Sequence, residues 1–176
     1  MTLEARIAAA HRMDDAAWAR HANPWSVWTR VPILPALALA AWSREWIGWW
    51  ALLPVGLLLA WTWVNPRVFP PPRSTATWSS HCVMGERLWL ARHEVPVPPR
   101  HRLLPNVLNA LSAAGGLLLV WGVAWLVPWA ALTGLAVALL AKLWYLDRMV
   151  WLVADMAGDP RLADWTRPPG EAGSPR

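Results

Sequence analysis

The sequence has 176 residues, of which 56% are hydrophobic, 15% are charged and 17 are Trp. A soluble domain carries about 25% charged residues, so this composition excludes an ordinary soluble domain and favours a membrane protein. The formal charge is +5, and 15 of the 16 basic residues are Arg. Because these side chains flank apolar segments, we expect anionic lipid headgroups as their partners and not nucleic acid.

The N-terminal residues up to position 22 alternate Ala with charged side chains. This pattern predicts either a short amphipathic helix on the membrane surface or a solvated terminus. Asn23-Pro24 predicts a helix start, with Asn as the N-cap and Pro at the first helical position. We expect a first helix over residues 24–43, kinked near Pro32 and Pro35 because proline lacks a backbone donor.

Residues 46–64 form an uncharged stretch of 19 residues with Trp near both ends. A helix of this length spans the hydrocarbon core of a bilayer, which is about 30 Å thick, and Trp prefers the two interfaces with water. We expect Asn65-Pro66 to end this second helix, because proline disfavours helix in the residue before it. Residues 65–72 (NPRVFPPP) then predict an extended, polyproline-like segment.

The second half of the chain contains a polar stretch followed by a long apolar one. Residues 74–94 predict a helix in or near the membrane interface. No charged residue occurs over the 39 positions from 103 to 141, which is enough for two spans joined by a turn at Pro128. We expect helices over residues 105–126 and 129–157.

These elements predict an all-α, polytopic membrane protein with four transmembrane helices as two hairpins, plus the interfacial helix in the central loop. One membrane domain occupies residues 1–157, with the last span ending near residue 150, and residues 158–176 form a flexible tail. The protein is expected in the cell membrane with both termini in the cytoplasm. In that orientation the two outer turns hold one basic residue, Arg44, as the positive-inside rule requires.

Small and polar residues indicate where the third and fourth helices meet, because such residues let helices approach closely in lipid. The expected contact residues are Asn109, Ser112 and Gly116 on the third helix and Ala131, Gly134 and Ala138 on the fourth.

Polar residues concentrate near the cytoplasmic ends of the predicted spans and form the candidate binding site: His21, Asn23, Arg30, Asn65, Arg67, Glu86, Arg87, Lys142, Asp147 and Arg148. The dipeptides Glu86-Arg87 and Asp147-Arg148 predict a cluster of four charges that cross-pair. Lys142 lies at a depth where charge is costly and should pair or reach the interface. Two interpretations stay open: a salt-bridge clamp that holds the loop to the last helix, or a polar pocket that binds a ligand.

Chemical roles for these residues are alternatives to binding. Glu86, His93 and Asp147 are the candidates for acid/base catalysis. A metal site is not indicated by any ligand spacing, and its nearest candidates, His21, Glu86 and His93, would have to meet through tertiary contact. Ser79, Ser80 and Cys82 near Glu86 form a weak nucleophile pattern. The cofactor, if there is one, is unknown.

Three strings support a family resemblance: WARHANPWSVWTR (18–30), NPRVFPPP (65–72) and GERLWLARHE (85–94). They resemble an uncharacterised family of small prokaryotic integral membrane proteins. The resemblance implies a helical membrane protein and no activity. Three functions therefore compete: binding of a lipid, a hydrophobic small molecule or a membrane partner; a membrane-embedded enzyme, possibly metal-dependent, for a lipid-soluble substrate; and a transporter, which would need a homo-oligomer to enclose a path.

Overall fold

Helices form all the regular secondary structure in the part of the chain that the structure describes. The computed structural model describes residues 15–93 and 96–160. Their α-helices, in chain order, are α1 (Asp15–His21), α2 (Pro24–Trp28), α3 (Ile33–Trp42), α4 (Arg44–Ile47), α5 (Leu52–Val68), α6 (Trp78–Leu90), α7 (Leu103–Ala124) and α8 (Pro128–Asp155). Short 3₁₀ turns occur at Gly48–Ala51 and Pro99–His101. The predictions for residues 1–14 and for the tail beyond residue 160 lie outside the described residues.

The contacts divide the chain into two compact units. The first, here called the polar unit, comprises Met1–Trp28, Pro66–His101 and Leu146–Arg176. The second, the apolar unit, comprises Thr29–Asn65 and Arg102–Tyr145. The apolar unit carries five charged residues in its 81 positions: Arg30, Arg44, Glu45, Arg102 and Lys142.

The predicted first helix is interrupted. α2 ends at Trp28 and α3 begins at Ile33, with a turn between them. A continuous helix would need N–H groups at positions 32 and 35 to bond the carbonyls four residues earlier, and proline supplies neither. Pro35 is tolerated because it lies in the first turn of α3, where no intrahelical partner exists for its nitrogen.

The second helix starts and ends later than predicted. Gly48 has a φ of +58°, a left-handed conformation that side chains disfavour, so α4 ends there and α5 begins only at Leu52. The prediction that Asn65-Pro66 ends the helix is wrong, because α5 continues to Val68 with Pro66 inside it. Asn65 is fully buried and its Nδ2 donates to Thr29 Oγ1 at 2.8 Å, a tertiary bond that outweighs the local preference. Residues 65–68 of the predicted extended segment are therefore helical, whereas residue 69 is a bend and residues 70–72 have no regular secondary structure.

The helix expected at the interface is a core element of the polar unit. α6 starts after Thr77, whose side chain accepts a hydrogen bond from the backbone N–H of Ser80, which is an N-cap arrangement. Most of its residues are buried, and Gly85 lies so close to Met149 that an added Cβ would overlap the Met149 carbonyl. α6 also packs against α1 and α2.

α7 and α8 begin and end within about two residues of the predicted positions, a difference typical of helix termini. A turn at residues 125–127 joins them, with Leu126 at a φ of +55°. The predicted contact at Ser112 is confirmed, since its Oγ donates to the Ala138 carbonyl at 3.1 Å. The prediction for Gly116 is wrong: its position is open, and the close approaches occur at Gly115 and Gly122.

Three segments of the described residues are long and apolar enough to cross a membrane: Pro24–Val68, Pro99–Ala124 and Pro128–Asp155. Over its described residues the chain is therefore all-helical and has the features of a membrane protein. The first of these segments has 45 residues. It includes α4 and the Gly48–Ala51 turn, which separate α3 from α5.

Candidate functional site

Asn23 ties two segments of the polar unit together. Its side-chain oxygen accepts a hydrogen bond from the Trp25 N–H at 2.9 Å, so the predicted N-cap is confirmed. Its Nδ2 donates to the Pro70 carbonyl at 2.9 Å. Because Asn23 is buried with its amide oxygen and nitrogen both engaged, its observed role is to position α2 and the proline segment.

Buried hydroxyl groups at the start of α6 form a network of local bonds. Thr77 Oγ1 lies 2.8 Å from Ser80 Oγ and 3.1 Å from Ser79 Oγ. Ser80 Oγ also donates to the Ala22 carbonyl at 2.8 Å. These bonds explain the burial of both serines, and Cys82 is likewise buried in the helix. The three residues of the predicted nucleophile pattern are thus all buried in the packing around α6.

Two of the predicted binding residues, His21 and Arg87, come together at Trp18. The His21 ring meets the indole edge-on at 5.9 Å between centroids, and the Arg87 guanidinium carbon lies 6.0 Å from the centroid of the indole. Trp18 itself packs on a small core that includes Ala22 and Val83. This geometry is a cation–π contact at the margin of a hydrophobic cluster.

Similar contacts recur elsewhere in the polar unit. The Arg92 guanidinium carbon lies 4.8 Å from the centroid of Trp89, and that of Arg148 lies 5.3 Å from the centroid of Trp151. Together with the contact at Trp18 we call these the Arg–Trp pairs: Arg87–Trp18, Arg92–Trp89 and Arg148–Trp151. Sequence reasoning noted the acid–arginine dipeptides but did not pair arginines with indoles, although the Trp partners of Arg92 and Arg148 each lie three residues away.

The acidic residues at the C-terminal part of α8 have basic partners in the polar unit. Asp147 pairs with the adjacent Arg148 at 2.9 Å, and the predicted cross-pairing of four charges stays a prediction. Asp155 accepts from Arg100 through both carboxylate oxygens at 2.8 Å and from His101 at 2.5 Å. The sequence analysis missed this pairing, because the acid and the basic residues are more than 50 positions apart.

The remaining predicted residues belong to both units, and their assembly into one site stays a prediction. Lys142 lies in the apolar unit with its Nζ 4.5 Å from the centroid of the Tyr145 ring. Arg30 is half-buried and Arg67 is exposed. His93 is exposed in the turn that follows α6, and Glu86 is half-buried on α6.

The described residues contain no group of three or more His, Cys, Asp or Glu side chains placed to hold a metal ion. His21, Glu86 and His93 therefore do not assemble as a ligand set. The acid/base roles proposed for Glu86, His93 and Asp147 stay a prediction.

A groove in the apolar unit is the main feature that sequence reasoning missed. It has a volume of about 420 Å³ and lies between α3, the end of α7 and the start of α8. Its lining is apolar and includes Pro35, Ala38, Trp42, Leu119, Val123 and Leu132. Nothing in the sequence singles out these residues, because each is an ordinary apolar residue of a span.

Arg44 contacts the part of α7 that lines this groove. Its Nη2 donates to the carbonyl oxygens of Val123 at 2.8 Å and Ala124 at 2.6 Å, and Val123 also lines the groove. These carbonyls belong to the last turn of α7, where a helix carries partial negative charge. Arg44 is thus a C-terminal cap for α7 as well as a positive charge beside an apolar groove.

Comparison with known proteins identifies the family and no function. Residues 2–171 match the profile of a family of unknown function, DUF6653. The chain therefore belongs to that family, and the resemblance to a family without a known activity is confirmed. Comparisons with curated proteins and with solved structures gave no match.

Proposed function

We propose that this DUF6653 protein is a multi-pass membrane protein that binds anionic amphiphiles, foremost membrane lipids, at a polar site on its cytoplasmic side. The observation that supports this function is the set of Arg–Trp pairs in the polar unit. Stacking on an indole uses the face of a guanidinium, whereas its N–H donors lie in the plane and point outward from the edge. In Arg148 the Nη2 donor is engaged by Asp147, and the Nη1 donors are oriented to bind a phosphate or carboxylate.

The polar unit also has the composition expected of a headgroup site. It carries most of the described charged residues, and arginine outnumbers the acidic side chains there. Trp151 is 55% exposed and the Arg148 side chain is 30% exposed, so this pair is partly accessible from outside the protein. Indole rings prefer the headgroup level of a bilayer, where each nearby basic residue contributes about 1 kcal/mol of attraction to anionic lipid.

The proposed topology has four spans in two hairpins with both termini in the cytoplasm. A straight helix over all 45 residues of Pro24–Val68 would extend about 68 Å at 1.5 Å per residue, roughly twice the hydrocarbon thickness. The interruption from Arg44 to Ala51 instead supports two crossings, one through α3 and one through α5. α3 alone has only 10 residues, or about 15 Å of helix, so the proposed first crossing also uses the residues that precede it in the predicted span 24–43.

Lipid titration followed by native mass spectrometry tests the binding function. Delipidated protein in a non-ionic detergent would be titrated with phosphatidylglycerol and, separately, with phosphatidylcholine. We expect Arg148→Gln to weaken phosphatidylglycerol binding roughly fivefold, the equivalent of about 1 kcal/mol. Arg148→Lys keeps the charge but loses the planar stack, so it should recover only part of the loss.

Arg73→Gln is the matched control, because it removes the same charge from an exposed position that is not part of the Arg–Trp pairs. If it weakens binding as much as Arg148→Gln, bulk charge and not a built site attracts the lipid, and the proposed function is wrong. A mass that corresponds to a second copy or to another protein in place of lipid would identify a protein partner instead.

Cysteine accessibility tests the topology. Cys82 is the single cysteine of the chain and is buried, so a Cys82→Ser background allows one new cysteine at a time. Residues 44 and 73 are both exposed, and the proposed topology places them on opposite sides of the membrane. Labelling of both positions from the same side by an impermeant maleimide would exclude it.

A further inference from the structure

The groove of the apolar unit and Arg44 together have the form of a site for an amphiphile. We propose that the groove holds one acyl chain of an anionic phospholipid whose phosphate is bound by Arg44. This site consists of residues of the apolar unit alone. It does not depend on the Arg–Trp pairs and is separate from the proposed headgroup site.

The charge on Arg44 is available to a ligand. Both observed hydrogen bonds of the guanidinium use Nη2, which leaves the donors of Nε and Nη1. Arg44 forms no ion pair with a carboxylate in residues 15–93 or 96–160, and the adjacent Glu45 is exposed. No ion pair joins Arg44 to Glu45 in this part of the structure, so Glu45 does not neutralise the guanidinium. A phosphate provides the missing negative charge and accepts two parallel N–H bonds.

The groove is suited to a hydrocarbon chain. Its volume of about 420 Å³ is within the range of roughly 300–1,000 Å³ typical of ligand pockets. The apolar lining offers no partner for a polar ligand, and burial of a polar group there would be unfavourable. Val123 both lines the groove and accepts a bond from Arg44, so the charge and the apolar surface are adjacent, as the phosphate and chains of a phospholipid are.

Exposed tryptophans near this end of the helices are consistent with a lipid occupant. Trp125 and Trp129 flank the turn between α7 and α8 and are 69% and 64% exposed. Each lies within 6.4 Å of Trp121, centroid to centroid. Such a group of indoles is typical of the headgroup level of a bilayer, which is the depth at which a lipid phosphate would meet Arg44.

The simpler role of Arg44, as a cap for the end of α7, predicts a different outcome in an experiment. Native mass spectrometry would count phosphatidylglycerol and phosphatidylcholine molecules bound to the full-length protein, with an Arg148→Gln background to remove the proposed headgroup site. We expect one tightly retained phosphatidylglycerol in that background. Arg44→Gln, which keeps an amide donor for capping, should weaken its binding roughly fivefold and abolish the preference over phosphatidylcholine, whereas Arg44→Lys should retain the preference.

Variants that fill the groove test the acyl-chain site independently of the charge on Arg44. Ala38→Phe places a ring in the groove and should reduce retention of both lipids about tenfold or more. Ala136→Phe adds the same group at an exposed position of α8 outside the groove lining and should leave retention unchanged. If Ala38→Phe does not fold, Leu39→Trp replaces it, because Leu39 is 64% exposed and can be enlarged without disturbing the core.

The results that would overturn the proposal are specific. Equal binding of both lipids by the wild type, or wild-type retention in Ala38→Phe or in its Leu39→Trp replacement, excludes a phospholipid in this groove. Loss of thermal stability in Arg44→Gln with unchanged lipid preference would show that Arg44 is only a cap. If Arg148→Gln loses bound lipid and the groove variants lose none, the result would support the headgroup site and refute the groove site.

Discussion

The contact between α7 and α8 gives a sharp prediction because two adjacent glycines have opposite environments. A Cβ added at Gly115 would lie 2.5 Å from the Ala138 backbone nitrogen and 3.0 Å from the Gly134 carbonyl oxygen. A Cβ added at Gly116 would meet no atom within 4 Å. We therefore expect Gly115→Ala to destabilise the protein and Gly116→Ala to leave it unchanged or stabilise it.

The magnitude follows from the two effects of the methyl group. Each substitution gains up to about 1 kcal/mol of helix propensity, and since both residues lie in the same helix this gain is common to both variants. At Gly115 the atoms that would have to shift are backbone, so the overpacking cost of about 1–3 kcal/mol applies there alone. The difference in unfolding free energy between the variants should therefore be about 1–3 kcal/mol, with Gly115→Ala the less stable.

Unfolding by sodium dodecyl sulphate in mixed micelles, followed by far-ultraviolet circular dichroism, measures this difference. Each variant would be compared with the wild type at the same detergent composition. Equal stabilities of Gly115→Ala and Gly116→Ala would refute the packing described for α7 and α8. A less stable Gly116→Ala would mean that the contacting face of α7 is the one expected from the sequence.

Three further predictions concern the polar unit. Thr77→Ala removes the N-cap of α6 and should lower the stability by about 1 kcal/mol, whereas Thr77→Ser should retain the cap. The temperature at which Cys82 begins to react with a fluorogenic maleimide measures the stability of both variants. Equal onset temperatures for Thr77→Ala and Thr77→Ser would argue against the cap. Gly85→Ala places a methyl group against the backbone of Met149 and should lower the same onset by several degrees, whereas unchanged reactivity would contradict the close packing of these helices. Asp155→Asn weakens the contacts with the two basic residues at the Pro99–His101 turn, so backbone hydrogen exchange should become faster there; unaltered exchange would indicate that the ion pairs do not hold this turn.

Local sequence patterns predicted the helices where local physics dominates. Asn23-Pro24 was expected to begin a helix and does so, because the side-chain bond to Trp25 involves residues two apart. The ends of α7 and α8 were also close to expectation, since uncharged stretches of this length have few alternatives to helix in a membrane. The end of α5 was not predicted, because the bond from Asn65 to Thr29 joins residues 36 apart.

Sequence patterns likewise predicted only part of the candidate site. The residues that sequence analysis selected were chosen for charge, and the structure brings His21 and Arg87 to one indole while leaving others, such as His93, exposed. Which arginine meets which tryptophan depends on helix rotation and packing. The partners of Asp155 are likewise supplied by a segment that is distant in the sequence.

The sequence by itself determined that this is an all-helical protein with apolar segments suited to a membrane, because hydrophobicity and helix length are properties of contiguous residues. The tertiary structure alone decided that Gly115 and not Gly116 forms the helix contact, that α6 is a core helix, and that a groove lies beside Arg44. Each of these depends on which face of a helix meets a distant segment, and a shift of one residue rotates that face by about 100°.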